Sequence, residues 1–183
     1  MVKDWSELRL RDRIRPDLRI LFVGINPGVR SAVTGHHFAG YSNRFWKLLT
    51  ESKLVPQPVT YIDDDRLPEW GLGVTNIVAR PSPGMDVLRP EEYVAGWKVL
   101  DRKIRRYRPK IVAFVGVTVY RAVHPLLNCP PLKSSQSAIG PQPVTIHGAR
   151  VFVVPNPSGR NANFTYAEML EAFARLRRWS LRI

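Results

Sequence analysis

Short apolar runs recur along the chain, and turn-forming residues follow each of them. Runs that are this short and almost wholly apolar are typical of strands buried on both faces of a sheet. Five segments carry the pattern and are predicted to be strands: Ile20–Val23, Gly73–Val78, Ile111–Gly116, Thr145–Ile146 and Val151–Val154. The last two flank the turn-forming residues His147 and Gly148, so they predict a hairpin.

Apolar residues at helical spacing lie between these runs. The predicted helices begin after Ser42 or Asn43, at Pro90, near Thr118 and near Tyr166. Proline suits the first position of a helix, because its missing N–H would have no partner there. Strands that alternate with helices predict an α/β fold, namely a three-layer α/β/α sandwich with a mainly parallel central sheet. We expect one domain that spans residues 1–183.

The remaining stretches are predicted to be irregular. Residues 1–18 mix charges of both signs and are expected to form a largely solvated lead-in, with residues 125–143 as an irregular excursion. The connector 56–68 holds three adjacent acids, Asp63–Asp65, which lack the alternate spacing of a calcium loop. We therefore expect an exposed loop there and no metal site.

Charge narrows the class of partner. The chain has 28 Lys and Arg against 15 Asp and Glu, a net charge of +13 and a pI of about 10.6. An excess of this size favours a polyanion, and nucleic acid is the leading candidate. An anionic membrane surface and a merely solvated basic exterior remain the alternatives.

Compartment and cofactors follow from what the sequence lacks. No apolar run approaches the roughly 18 residues of a membrane span, and the first residues lack the apolar region of a signal peptide. We expect a cytoplasmic protein with no membrane partner. Cys129 is the single cysteine, so the sequence predicts no internal disulfide and no cysteine-ligated cluster. We expect no cofactor, no metal and a monomeric state.

The first strand leads into the most informative segment. Gly24 and Gly28 allow close approach of backbone and ligand, and Asn26 lies between them with an amide that both donates and accepts hydrogen bonds. Ligands of parallel sheets bind beyond the carboxyl ends of the strands. The loops expected to build the site are Asn26–Phe38, Arg80–Asp86 and Asn156–Asn163.

Three motifs in order carry a family resemblance. They are Gly24-Ile25-Asn26-Pro27-Gly28, then Thr34-Gly35 with Phe38-Ala39 and Asn43-Arg44-Phe45-Trp46-Lys47, then Asn156-Pro157-Ser158-Gly159. Together they resemble the mismatch-specific uracil-DNA glycosylase and thymine-DNA glycosylase family, within the uracil-DNA glycosylase superfamily. The resemblance implies a uracil-DNA glycosylase-like fold and a monofunctional DNA repair enzyme. Such an enzyme flips uracil, mispaired thymine or another damaged pyrimidine from duplex DNA, especially opposite guanine, and leaves an abasic site.

The resemblance also implies roles for the first block. Hydrolysis of the N-glycosidic bond passes through an oxocarbenium-like sugar, so the site must hold a water beneath C1′. Asn26 is expected to orient that water, while Gly24 and the Ile25 backbone line the base and Phe38 stacks on it. The alternatives are that Asn26 is a turn residue and that Phe38 only fills the core.

Other candidates depart from the family pattern. Asp86 on the second loop is expected to help activate the water, with a solvated loop aspartate as the alternative. His36 and His37 are expected to be exposed loop histidines rather than pocket residues.

The last loop matches the segment that relatives push into the duplex, and Arg160 stands where some carry an apolar wedge. Its alternative is an ordinary surface arginine. The expected DNA contacts are Ser31, Asn156, Ser158, Gly159, Arg160 and Asn161.

A second class of function stays open at this point. The same loops would suit an α/β nucleotide- or DNA-binding domain without catalysis. The sequence has neither a Walker loop nor a GxGxxG motif, nor a helix-turn-helix or zinc-finger signature, which counts against such domains.

Overall fold

The computed structural model describes residues 4–127, 129–131 and 138–183, and its centre is a five-stranded sheet. The strand order is β2-β1-β3-β5-β4; the first four strands in this order are parallel, and β4 is antiparallel to β5. The strands are β1 Ile20–Gly24, β2 Leu72–Asn76, β3 Ile111–Val115, β4 Gly140–Ile146 and β5 Ala149–Val154. The predicted strands, the hairpin and the mainly parallel sheet are confirmed.

Helices cover both faces of the sheet. The helices are α1 Val29–Thr34, α2 Phe45–Glu51, α3 Pro90–Tyr107, α4 Val117–Val123 and α5 Tyr166–Ser180. Short 3-10 segments lie at Trp5–Glu7, Tyr61–Trp70, Met85–Val87 and His124–Leu126. Helices α2 and α5 pack on one face, and α3 and α4 pack on the other. The three-layer sandwich predicted from the alternation of elements is therefore confirmed.

Strand β1 explains why the runs are apolar throughout. Ile20 and Phe22 point into the core beneath α2 and α5, whereas Leu21 and Val23 point into the core beneath α3 and α4. All four side chains are fully buried. A strand covered on both faces has no solvent side, so it shows no alternation of polar and apolar residues.

A short helix, α1, lies inside the segment predicted as the loop Asn26–Phe38. It ends at Gly35, whose left-handed backbone (φ 77°) lets its N–H bond to the Ser31 carbonyl. A helix of six residues is too short to be stable alone, so no strong signal marks it in the sequence. Its glycine stop is an ordinary helix terminus.

The acidic run is not the exposed loop that the sequence suggested. Asp63 and Asp64 lie in the first turn of the 3-10 segment, and the Asp64 side chain is fully buried. Asp64 Oδ1 lies 3.1 Å from Arg13 Nε and 3.0 Å from His36 Nδ1. Asp64 Oδ2 accepts the His37 backbone N–H at 2.9 Å. A buried carboxylate needs such partners, and they come from distant parts of the chain.

The N-terminal lead-in is also less free than expected. Arg13 forms an isolated antiparallel bridge with Val74, with hydrogen bonds of 3.0 and 2.9 Å between their backbones. Together with the Asp64 contact, the bridge fixes this segment to the β2 edge of the sheet. The prediction of a largely solvated lead-in was wrong for this part of it.

Strand β4 begins five residues before the predicted hairpin arm. It starts at Gly140 and has a register irregularity between Gln142 and Thr145, on an edge strand that contains Pro141 and Pro143. Prolines are tolerated at sheet edges, where a missing N–H disrupts no ladder. Residue 128 and residues 132–137 of the predicted irregular excursion lie outside the described residues. Within the part that the structure describes, no helix is both long and apolar enough to cross a membrane.

The buried carboxylate generates a stability prediction. Asp64→Ala should lower the free energy of unfolding by about 3–5 kcal/mol, because it leaves the partly buried Arg13 guanidinium and the His37 N–H without their acceptor. Asp65→Ala is the matched control, since Asp65 is exposed and should change stability by no more than about 0.5 kcal/mol. Urea unfolding measures both. Equal effects would mean that the Asp64 contacts do not stabilise the fold.

Candidate active site

A cleft of about 830 Å³ opens at the carboxyl-terminal edge of the sheet, where β1 and β2 end. Its walls come from the three loops that the sequence singled out. The predicted site residues that line it are Gly24, Ile25, Asn26, Ser31, Phe38, Asp86, Asn156, Ser158, Arg160 and Asn161. Gly159 is not among the lining residues. The structure thus brings together residues more than 130 positions apart in the chain.

Asn26 is held in one orientation by its side-chain nitrogen. Nδ2 donates to Ser82 Oγ at 2.7 Å, to the Arg80 carbonyl at 3.1 Å and to the Pro27 carbonyl at 3.2 Å. Ser82 Oγ gives its own proton to the Gly84 carbonyl at 2.5 Å, so it can only accept from Asn26. Because all three partners are acceptors, the nitrogen faces the loop and Oδ1 is left to accept a hydrogen bond in the cleft.

Gly24 makes room at the end of β1. A Cβ at this position would lie 2.4 Å from Asn76 Oδ1 and 3.3 Å from Phe38 Cζ, closer than the first contact can tolerate. Asn76 is paired with Gly24 in the register of β1 and β2. The missing side chain therefore lets an amide and an aromatic ring converge on one point of the cleft wall.

Phe38 belongs both to the core and to the cleft. Its ring stacks on Phe45 with centroids 4.0 Å apart and planes 24° apart, and it also lines the cleft. Its backbone is left-handed (φ 52°), which is costly for a bulky side chain. Hydrogen bonds on both sides hold it there, from the His37 N–H to Asp64 and from the Ala39 N–H to Ser31 Oγ at 3.0 Å.

The two histidines are not the exposed loop residues that the sequence suggested. His37 is 1% exposed, and burial lowers the pKa of its imidazole. Its Nε2 lies 3.0 Å from the Arg11 carbonyl, which can only accept, so Nε2 carries the proton of the neutral ring. His36 is half-buried against Asp64. The His36 ring therefore contacts the buried Asp64 carboxylate, whereas the His37 ring contacts the Arg11 carbonyl, so both rings have structural partners.

Asp86 stands exposed on the 3-10 segment Met85–Val87 at the rim of the cleft. Its carboxylate has no hydrogen-bond partner within the described part of the chain. The base of its loop is anchored by Arg80, which contacts Glu92 through two hydrogen bonds of 2.8 and 2.9 Å. The Arg80 hydrogen bonds, joined by the Arg89 N–H, lower the pKa of Glu92 to about 2.

The last loop is preorganised by its own polar side chains. Asn156 Oδ1 accepts the Ser158 N–H at 3.0 Å, and Asn161 Nδ2 donates to the Asn156 carbonyl at 2.8 Å. Gly159 packs so closely on Ser42 that a Cβ would lie 2.5 Å from the Ser42 Cβ. Arg160 is exposed at the tip, and among the described residues its guanidinium has no partner.

Ser31 is arranged differently from the expectation of a phosphate contact. Its side chain is 5% exposed and its Oγ accepts the Ala39 N–H. This hydroxyl therefore organises the loop that carries Phe38.

Asn76, Ser82 and Tyr41 are among the cleft residues that had no predicted role. Asn76 is the last residue of β2, and Ser82 lies in the loop after it. Tyr41 is 90% exposed, with the Arg30 guanidinium 3.6 Å from its ring centroid. A polar residue at the end of the strand next to β1 was a usable signal for Asn76. Ser82 is found only through its contact with Asn26. In the described ranges, no three His, Cys, Asp or Glu side chains cluster as metal ligands would.

Residues 12–177 match the model of the uracil DNA glycosylase superfamily. The chain belongs to this superfamily. The match includes all three loops of the cleft and every strand and helix of the sandwich except the last residues of α5.

The chain is also similar to two individual proteins, one in sequence and one in fold. It is 40% identical over 148 residues to the G/U mismatch-specific uracil DNA glycosylase of Schizosaccharomyces pombe. The aligned region covers 79% of this chain and 45% of the yeast protein. The chain thus spans less than half the length of this curated relative. A Methanosarcina acetivorans protein, solved by NMR as a candidate uracil DNA glycosylase, shares the fold with a TM-score of 0.64 at 17% identity. That comparison covers 94% of this chain and 97% of the other.

The glycines at the two ends of the first motif should differ in their tolerance of a side chain. Gly24→Ala should displace the Asn76 amide and the Phe38 ring, because its methyl group would overlap Asn76 Oδ1 and press on Phe38 Cζ. Gly28→Ala is the control, since nothing lies within 4 Å of its Cβ position and its φ of −68° suits alanine. Side-chain NMR shifts of Asn76 and Phe38 report the displacement. Unchanged shifts in Gly24→Ala would contradict the packing described above.

Proposed function

We propose that this protein is a monofunctional DNA repair glycosylase that removes uracil from duplex DNA, preferentially opposite guanine. Mispaired thymine and other damaged pyrimidines are the further candidate substrates. The observation that carries the proposal is that Asn26 lines the cleft while three acceptors hold its side-chain nitrogen, which leaves Oδ1 to accept a further hydrogen bond. The superfamily and the name of the fission yeast relative agree with it.

The reaction needs a positioned water and a stabilised leaving group. The bond between the base nitrogen and C1′ breaks with its electron pair going to the base, and the water oxygen forms the new bond to C1′. Asn26 Oδ1 accepts a hydrogen bond from the water and so aims it. An amide cannot take the proton, so we assign that step to the Asp86 carboxylate, which has no other partner in the cleft.

The base is bound by the walls at the end of β1. The Gly24 and Ile25 backbone and the Asn76 amide can face the polar edge of a pyrimidine, and Phe38 can stack on its plane. Phe38 is stiffened for this role by Phe45 behind it. Asn76 is an addition to the base-binding set that the sequence suggested.

The loop 156–163 would fill the duplex when the nucleotide leaves it. Its internal hydrogen bonds and the contact of Gly159 with Ser42 hold the tip before DNA binds, which reduces the entropy lost on binding. Arg160 enters the gap, while Ser158, Asn156 and Asn161 contact the adjacent backbone or shape the loop. Gly159 acts through its close packing. Ser31 acts through the Phe38 loop.

We further propose that the protein works as a monomer on DNA in the cytoplasm. A non-catalytic DNA-binding domain is the competing function. Incubation with a duplex that holds one G·U pair, followed by alkali, separates the two. Strand breakage at the uracil supports the enzyme, whereas shifted but uncut DNA supports a binding domain. A panel of lesions in the same duplex ranks the substrates.

Asn26 and Asp86 should affect the chemical step rather than binding. Asn26→Ala should lower single-turnover cleavage of the G·U duplex by roughly 10²-fold or more, because the water loses its orientation, with little change in affinity. A comparable loss in Asp86→Ala would show that the carboxylate shares the work. Asp65→Ala is the control for a remote exposed aspartate. Wild-type rates in Asp86→Ala would assign Asp86 to the solvated rim.

Arg160 should govern discrimination between weak and stable pairs. Arg160→Ala should slow A·U cleavage more than G·U cleavage, because filling the gap matters most where the pair resists opening. Arg160→Leu should restore part of the loss if volume and apolar contact fill the gap. Single-turnover rates on both duplexes at two salt concentrations provide the measurement. Should leucine match alanine, with both defects shrinking at high salt, Arg160 is a phosphate contact instead.

A further inference from the structure

The end of the sheet opposite the cleft carries a row of cations. In parallel strands, the residues just before each strand lie at the amino-terminal edge, and the cleft lies at the other edge. Arg19 precedes β1, Lys110 precedes β3 and Arg150 lies at the start of β5. Ile20 pairs with Ile111, which pairs with Arg150, so these cations occupy three adjacent strands. Neighbouring strands are about 4.8 Å apart.

Arg177, in the C-terminal part of α5, and Lys53, just after α2, are two further cations in contact with each other. Arg177 Nε donates to the Lys53 carbonyl at 3.0 Å, and the Arg150 guanidinium lies 4.2 Å from the Trp179 ring centroid. We call Arg19, Lys53, Lys110, Arg150 and Arg177 the basic edge. Three more arginines flank it near the end of α3, namely Arg105, Arg106 and Arg108.

No carboxylate neutralises the basic edge. None of its five members lies within 4.0 Å of an acidic oxygen in the described parts of the chain. The nearby acids Asp101 and Glu171 are engaged by His147 and Arg178, and Asp17 is exposed.

Arg19 and Arg177 lie close enough for their charges to repel each other. Arg19 Nε is buried and has no hydrogen-bond partner among the residues that the structure describes. Burial and the neighbouring Arg177 together lower the pKa of its guanidinium. A bound phosphate would stabilise two guanidinium groups that repel each other, because neither has a carboxylate within 4.0 Å in the described parts of the chain.

We infer that the basic edge binds the phosphate backbone of a second DNA segment while the cleft holds the first. A row of cations from adjacent strands suits the repeating phosphates of a duplex, and arginine forks match phosphate geometry. Leu181 and Ile183 are exposed near the end of α5, but two side chains are too little apolar surface to anchor a bilayer.

Two DNA sites at opposite ends of the same short strands would not compete for one segment. The five residues of β1 span about 16 Å. The length of the strands would therefore separate the DNA segment at the cleft from the segment at the basic edge. A protein that contacts a second duplex before it releases the first can pass directly between them. The basic edge would therefore serve the search for lesions, whether or not the cleft performs the proposed chemistry.

The test compares two double charge reversals of the same size. Lys110→Glu with Arg150→Glu changes the basic edge, and Lys98→Glu with Arg121→Glu changes exposed, unpaired cations on α3 and α4. Undamaged labelled duplex is released from each protein into increasing concentrations of unlabelled duplex. Wild type and the α3/α4 control should release it faster in proportion to competitor. The basic-edge variant should release it at a constant rate.

A second measurement uses a duplex fixed on beads and a free labelled duplex. Wild-type protein should capture the free duplex, with the logarithm of capture falling linearly against the logarithm of salt. The basic-edge variant should lose capture, or keep it with a salt slope smaller by about 2. Melting temperatures confirm that both variants are folded. Cleavage of a short G·U duplex should be unchanged in both, so failure of the proposed chemistry would be seen separately.

Three outcomes would overturn the inference. Equal loss in both double variants would mean that net charge alone matters. Capture that appears only with a dimer in sedimentation velocity would mean that two clefts bridge the DNA. Binding of wild type to vesicles that contain anionic lipid, without capture of a second duplex, would assign the basic edge to a membrane surface.

Discussion

The burial of strand β1 between β2 and β3 is the constraint on which the site depends. Because the strand is paired on both sides and covered on both faces, its carboxyl end is fixed within the sheet. Asn26 follows only two residues after that end. The Asn26 amide is therefore attached to a rigid part of the core. Hydrogen bonds to Arg80 and Ser82 in the loop after β2, and to the adjacent Pro27 carbonyl, restrict its remaining rotation. The role proposed for Asn26, the orientation of a water molecule, requires a side chain that is held in one position.

A buried charge supports the opposite wall of the cleft. Asp64 joins the N-terminal segment, the histidine loop and the 3-10 segment in one network. Burial of a carboxylate is unfavourable unless it is paired and hydrogen-bonded, so the network is sensitive to loss of any member. The benefit is local, because the same bonds hold Phe38 in a backbone conformation that a bulky residue rarely adopts.

The charged residues are distributed unevenly between the cleft and the opposite edge of the sheet. Around the cleft the interactions are mostly neutral amides, hydroxyls and one aromatic ring, with Arg160 and Asp86 exposed at the rim. Much of the unpaired positive charge lies at the far edge of the sheet. The net charge of +13 is therefore a poor guide to the position of the chemistry, although it indicates a polyanionic partner for the molecule as a whole.

The pattern of apolar residues and the glycine motif were enough to predict the sheet, its covering helices and the loops of the cleft. The apolar runs indicate strands that are buried on both faces of the sheet. The Gly24–Gly28 motif indicates a strand end where the backbone can be approached closely. Features that depend on contacts between residues far apart in the chain became visible only in the folded structure. In the sequence Asp64 is one acid in a polar run, whereas in the structure it is buried against Arg13, His36 and the His37 N–H. Ser82 belongs to the site only because it contacts Asn26. Helix α1 has six residues and is too short to be recognised from the sequence. Local patterns encode which residues are buried along an element, whereas pairing between distant polar groups is decided only when the elements pack.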